Sequence, residues 1–255
     1  MMGAHHAATG AAAWVAVAGT VPFTLGWYPV SSSGLLVGSI VCAGAALLPD
    51  ADHHAGTISR SLPPLSKVVT RGIAAVSGGH RHGTHSLLAI PLATALAFAI
   101  GLVGLESETF GRIAIGAGLV SVLLVAYALK GFHLTREGSW RLAWFLAVTI
   151  SVAVTLFSSS RWDWLPVCVG LGVAVHIVGD MLTKGGVPLL WPWEPRPPAW
   201  WNEIPVLNDI WQRGGRMGLP ILGRTGSIRE WALAIPVSLY ASYGAVAAVM
   251  GMLGR

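Results

Sequence analysis

The sequence predicts an all-α fold, a polytopic helical membrane protein, on three observations. Its 255 residues are 54% hydrophobic and only 11% charged, where a soluble domain carries about a quarter charged residues. The mean hydropathy is +0.65. The apolar residues also gather into runs whose lengths suit a bilayer, for which roughly 17 to 25 residues are needed. The whole chain, 1–255, reads as a single membrane-embedded domain.

The first run, about 7–25, starts close to Met1 without a basic stretch or a small-residue cleavage site, so no removable signal peptide is expected. The second, 34–48, is short unless it recruits Trp27–Ser33, where Pro29 and three serines weaken a helix. These two runs could instead form a re-entrant hairpin; either way the chain returns to its starting side. Further runs follow at 86–105, 112–129, 141–157, 164–182 and 231–253, giving about seven transmembrane segments. Between the last two lies 183–230, with Trp191, Trp193, Trp200, Trp201 and Trp211 set among prolines. Those prolines exclude a continuous helix, and indole rings favour the headgroup region. This Pro/Trp-rich stretch therefore reads as a cytoplasmic cap on the membrane surface. Cys42 and Cys168 fall inside apolar runs without metal-type spacing and read as small buried hydrophobes.

Charge assigns the sides. The side bearing the N-terminus holds the loops 49–85, 130–140 and 183–230 and, with Arg141, carries 13 of the 16 lysines and arginines. The other side has Arg112, Arg161 and Arg255. Basic residues in short loops stay cytoplasmic, so the N-terminal side is expected to face the cytoplasm. The formal net charge of +5 is spread over these loops without a nucleic-acid-binding motif, and no nucleic-acid partner is expected. Membrane lipids are.

The histidines and aspartates then fall into four clusters, all at run ends on that side. His176 and Asp180 stand four residues apart, which puts both on one helix face; ionisable groups at the end of an apolar segment default to a functional reading. Asp50, Asp52 and His53 follow Pro49. Two carboxylates and an imidazole without a thiolate suit Zn²⁺, Mn²⁺ or Mg²⁺. His80 and His85 bracket a glycine-containing turn before the third run, whose helix N-terminus is a ready anion site, and Arg81 adds a bidentate clamp for phosphate or carboxylate. His5 and His6 open the first run, and either one could supply a further ligand. His54, His82 and His133 read as loop or solvent-facing residues. A metal set beside an anion pocket is the equipment of phosphoester hydrolysis, and the donors suffice for two ions.

The same residues resemble a known family, the LexA-regulated, membrane-bound metal-dependent hydrolases of bacterial inner membranes. The likeness lies in Leu47-Leu48-Pro49-Asp50-Ala51-Asp52-His53, in Gly79-His80-Arg81 with Thr84-His85-Ser86, and in His176-Ile177-Val178-Gly179-Asp180 running on to Trp191-Pro192. A histidine near the start of the chain and Thr225-Gly226-Ser227 with Glu230 fit as well. His82 stands where the family often has glycine, and 106–163 carries no motif, reading as an insertion that adds spans. The resemblance implies a multi-pass protein of the bacterial inner membrane with a metal and hydrolase activity.

The expected protein is thus a metal-dependent hydrolase with its site at the cytoplasmic membrane face. His6, Asp50, Asp52, His53, His80, His85, His176 and Asp180 are the metal candidates, zinc first. Asp52 and His85 are also candidates for the base, and Arg81 for stabilising developing negative charge. The neighbouring Trp-rich cap suggests a lipid or lipid-linked phosphoester. The rival from another class is a metal-ion or proton transporter using the same clusters, although transport sites usually sit near the bilayer midplane.

Overall fold

A computed structural model describes residues 1–157 and 162–254 and is mostly helical. The main helices are α1 (Gly3–Ala18), α2 (Ser32–Ala45), α3 (Leu65–Ser77), α4 (Ala89–Gly101), α5 (Ile115–Gly131), α6 (Arg141–Phe157), α7 (Leu165–Met181), α8 (Pro205–Ile210) and α9 (Ile228–Met252). One antiparallel hairpin, β1 (Leu105–Ser107) with β2 (Gly111–Ile113), joins α4 to α5.

The helix starts have local causes. Ser31 caps α2 by accepting from the Gly34 amide at 3.2 Å, and Ser227 caps α9 by accepting from the Glu230 amide at 3.3 Å. At its far end α2 gives way to a 3-10 turn, Leu48–Asp52, with Pro49 near its start.

Central to the bundle is α2, which packs against α1, α5, α7 and α9; α4 lies along α7, and α6 along α5. Small residues permit these approaches, as membrane helices require without a strong hydrophobic drive between them. A Cβ at Gly44 would sit 1.9 Å from the Leu124 carbonyl oxygen, and one at Gly172 would sit 2.6 Å from the Ala45 Cβ. Trp14, Val41, Leu124, Leu165 and Val169 fill the space between, all nearly or fully buried.

Among the described residues, three stretches are long and apolar enough to cross a bilayer: Ser32–Asp52, Trp162–Met181 and Ile228–Met252. Ala89–Gly101, Ile115–Gly131 and Arg141–Leu156 are apolar but shorter, and α1 has 16 residues. A 13-residue helix covers only about 20 Å against a hydrocarbon core of about 30 Å. The count of seven spans is therefore not reached by helix length, for identifiable reasons. Where a run to residue 25 is expected, α1 ends at Ala18 and the chain doubles back, with Leu25 N–H on the Ala16 carbonyl at 2.7 Å. The turn around His85 delays α4 to Ala89, and the hairpin takes residues expected in helices on both sides. Of the three cations counted on the far side, Arg161 and Arg255 lie outside the described residues.

Two elements were not anticipated: the hairpin, and α3 inside what reads as the loop 49–85. The stretch 106–163 also does more than add spans, because α5 packs on the central helix α2. The segment 183–230 folds back on itself through Val187 paired with Met217 (2.8 and 2.9 Å) and Lys184 N–H on the Gly223 carbonyl (2.9 Å). Trp201 and Trp211 spend their indole N–H groups inside this cap, on the carbonyls of Leu207 (2.7 Å) and Pro195 (2.9 Å), while Trp193 and Trp200 stay exposed.

Candidate metal centre

Five separate pieces of chain build the site. α1 brings His6, the 3-10 turn after α2 brings Asp50 and Asp52, the loop after α3 brings His80 and Arg81, the turn Gly83–His85 brings His85, and the end of α7 brings His176 and Asp180. The four sequence clusters meet at one place.

His176 is fully buried, and its Nδ1–H donates to the Ala46 carbonyl at 2.6 Å. That bond fixes the tautomer and leaves Nε2 with a free lone pair. His85 is equally buried and is oriented by a relay. The Thr84 hydroxyl donates to Asp52 Oδ2 at 2.6 Å, so its oxygen is left to accept from His85 Nδ1–H at 3.0 Å. His85 Nε2 is then also a lone pair, and it faces His176 Nε2 at 3.2 Å. Two lone pairs at that separation repel unless a proton or a cation lies between them.

Carboxylates surround the same point. Asp50 Oδ1 lies 3.6 Å from His85 Nε2 and 3.9 Å from His176 Nε2; Asp180 Oδ2 lies 3.7 and 3.9 Å from the same atoms. Ligands around a tetrahedral ion with bonds of about 2.0–2.1 Å are roughly 3.3–3.4 Å apart, and Asp50, His85 and His176, whose donor atoms lie within 4.8 Å of one another, form a group that could hold such an ion. Asp180 Oδ2 is buried without a hydrogen bond, although the Arg81 guanidinium is 3.1 Å away. This oxygen therefore has one cationic partner in Arg81 and also faces the two imidazole nitrogens. Burial disfavours a charged His85, but the attraction of Asp50 and Asp52 outweighs it and raises its pKa. The same attraction would favour a cation at this position.

The remaining candidates divide. His6 stacks on His176 with ring centroids 3.7 Å apart, and its Nε2 lies 3.2 Å from Asp180 Oδ1, which the Met1 amino group also contacts. His6, His176 and Asp180 form one possible ligand group, and Asp50, His85 and His176 another. Both use His176, which has a single free nitrogen, so the two groups compete for one ion. A third group, Asp50, Asp52 and His80, is weakened because Asp52 is spoken for: Oδ1 is 2.8 Å from His80 Nδ1, and Oδ2 accepts from the Arg81 amide at 2.8 Å as well as from Thr84. These bonds also hold Arg81 in a left-handed conformation, φ 59°. His53 belongs to none of the three groups; its Nδ1 accepts from the Ala55 amide, and its ring lies edge-on to His80.

A pocket of about 300 Å³ opens beside this cluster, lined by Asp50, His53, Thr57, Ile58, His80 and Arg81 among others. Trp191 covers the back of the turn, 3.0 Å from where a Cβ on Gly83 would lie. Three contributors escaped the reading of candidate ligands: the Ala46 carbonyl, Thr84 and Glu230. Glu230 is fully buried and accepts from the Met2 and Gly226 amides at 2.7 and 2.8 Å, with His5 Nδ1 at 2.6 Å. It locks α1 to α9, so of the two N-terminal histidines His5 serves this lock and His6 the cluster.

Fold and site together define a helical membrane protein with a buried His/Asp cluster at the ends of its apolar helices. The chain belongs to the YdjM inner membrane protein family, which it matches over residues 1–135 and 136–251. It is similar to inner membrane protein YdjM of Escherichia coli K12 and of Shigella flexneri, 27% identical to each over 191 residues, which is 75% of this chain. The match spans 60% of the length of those relatives. No solved structure matches. Family and apolar helices together place the protein in the bacterial inner membrane.

Proposed function

We propose that the protein is a membrane-bound, metal-dependent hydrolase acting on a phosphoester or a lipid-linked ester. The observation that carries this reading is the apposition of His85 Nε2 and His176 Nε2 at 3.2 Å, flanked by Asp50 and Asp180, with Asp50 also lining the adjacent pocket. His85, His176, Asp50 and Asp180 would hold one divalent ion, zinc first and manganese or magnesium next, since no thiolate is present. Such an ion would supply Lewis acidity and a nucleophile at neutral pH.

The protein's own groups supply the rest. Arg81 lines the pocket with its guanidinium ion-paired to Asp180, and its remaining N–H groups would face an anionic substrate group and offset charge that develops on it. Asp52 holds the Arg81 amide, Thr84 and His80 together, and through Thr84 keeps His85 in the tautomer that frees Nε2. His80, with its side chain 41% exposed, lines the pocket and is held there by Asp52. Several membrane passes with the pocket on the cytoplasmic side fit the partition of basic residues, and an interfacial site beside exposed Trp193 and Trp200 favours a lipid-borne substrate.

Two measurements on purified protein test this. Metal analysis should find about one equivalent of zinc or manganese, absent from a His176→Ala/Asp180→Ala variant. A screen of phosphomonoesters, phosphodiesters and phospholipids with added Zn²⁺ or Mn²⁺ should then reveal turnover that the variant lacks. A folded wild type that takes up none of the three metals would sink the proposal. Metal-dependent flux into liposomes without hydrolysis would replace it with a transporter.

A further inference from the structure

We infer that α3 is an interfacial helix lying in the plane of the bilayer, where it takes the headgroups of anionic lipids. Its thirteen residues divide into three sectors at 3.6 residues per turn. Ser66, Thr70 and Ser77 are buried and face the protein. The Ser66 hydroxyl donates to the Ser59 carbonyl at 2.7 Å and accepts from the Leu62 amide at 3.1 Å. A second sector carries Leu65, Val68, Val69 and Val76, all exposed, Val76 to 82%. The third carries Lys67 and Arg71, also exposed.

This is the reverse of a helix resting on a soluble core, which turns its apolar sector inward. An apolar sector bordered by cations, on a helix of modest overall hydrophobicity, is the pattern of an in-plane membrane helix.

Its depth follows from its neighbours. Trp144, one turn into α6, donates its indole N–H to the Ser61 carbonyl at 3.0 Å. The stretch leading into α3 is thereby pinned at the end of an apolar helix, where tryptophan marks the membrane–water boundary. Ile73 packs against the main core, and α3 rests on the turns Leu48–Asp52, Ile58–Arg60 and Gly83–His85. Charge identifies the occupant. No acidic residue occurs between His53 and Leu105, whereas Arg60, Lys67 and Arg71 are all exposed in that stretch. Basic residues near an anionic leaflet are attracted to its headgroups. Lipid phosphate and the apolar sector together suit both exposed faces, which a purely aqueous partner does not.

The test uses the full chain in nanodiscs, with a fluorophore on Val76→Cys; Cys42 and Cys168 are buried and stay unlabelled. Brominated lipid should quench the label and aqueous iodide should not. Brominated phosphatidylglycerol should outcompete brominated phosphatidylcholine by at least about fivefold, with the preference collapsing toward parity in a Lys67→Gln/Arg71→Gln variant. Leu65→Cys gives the same readout from the other end of α3. Iodide quenching without lipid quenching would overturn the inference, as would protection from both quenchers, which would mean a protein covers this face. Lipid quenching with no preference for phosphatidylglycerol would overturn the headgroup recognition.

Discussion

The centre has a floor and a rim built from the same residue types in opposite surroundings. On the floor, His6, His85, His176 and Asp180 are each at most 1% exposed, and the Nδ1 atoms of His85 and His176 are fixed by Thr84 and the Ala46 carbonyl while their Nε2 atoms face one another. On the rim, His53, His80 and Asp50 reach the pocket; His53 is held by the Ala55 amide in its own loop and His80 by Asp52 from the turn after α2. Asp52 sits between, with both oxygens engaged. The difference teaches that residue type alone does not make a ligand. A buried imidazole whose one nitrogen is committed to a carbonyl has no water to satisfy the other, and only a proton or a cation remains.

The largest expected effect comes from the floor. Asp180→Ala leaves the Arg81 guanidinium and His6 facing a buried site without their carboxylate. Breaking one partner of such a buried set costs about 3–5 kcal/mol, read as a lower midpoint of thermal unfolding in detergent. Metal uptake should be lost with it. If the variant keeps both its stability and its metal, the floor is not the centre and the division fails. Asp52→Asn comes next. It weakens the hold on His85 and the Arg81 loop without removing a ligand, so zinc affinity should fall about 10–100-fold while stoichiometry at saturating metal is unchanged, as measured by competition with a chelating dye. A loss of stoichiometry would promote Asp52 from positioning residue to ligand.

Much of this was legible in the sequence, and the gaps have physical causes. His176 and Asp180 could be paired because a helix fixes the i, i+4 face, and Asp50 with Asp52 could be flagged because Pro49 ends an apolar run just before them. Which of the two aspartates faces the buried histidines was not legible. In a 3-10 turn with three residues per turn, neighbours two apart point to different sides, so Asp50 meets His85 and His176 while Asp52 meets the Arg81 loop. The Ala46 carbonyl and the His5–Glu230 pair, 225 residues apart, depend on tertiary packing and leave no local pattern. α3 escaped because counting apolar runs detects spanning segments and overlooks a short helix whose apolar residues occupy one sector.

Glu230→Gln tests the floor from behind. It removes the charge that three donors share at the α1–α9 contact, and hydrogen bonds to a charged group contribute about 1.5–3 kcal/mol. A glutamine retains one acceptor, so a loss of about 1–2 kcal/mol in unfolding free energy is expected, with metal stoichiometry intact. Loss of metal here would mean that the position of α1, and with it His6, controls the centre.

The smallest effect belongs to the rim. His53 touches other histidines and the Ala55 amide but faces no free donor of the floor, so His53→Ala should change stability by no more than about 0.5 kcal/mol and leave metal affinity alone. The pocket wall, however, loses an imidazole beside Asp50 and His80. If the protein hydrolyses an anionic substrate, KM should rise while kcat and metal content hold, because the side chain contributes to binding substrate and transition state alike. A fall in metal affinity as large as that of Asp52→Asn would erase the boundary between rim and floor, since it would require His53 to turn away from Ala55 and join the ligands.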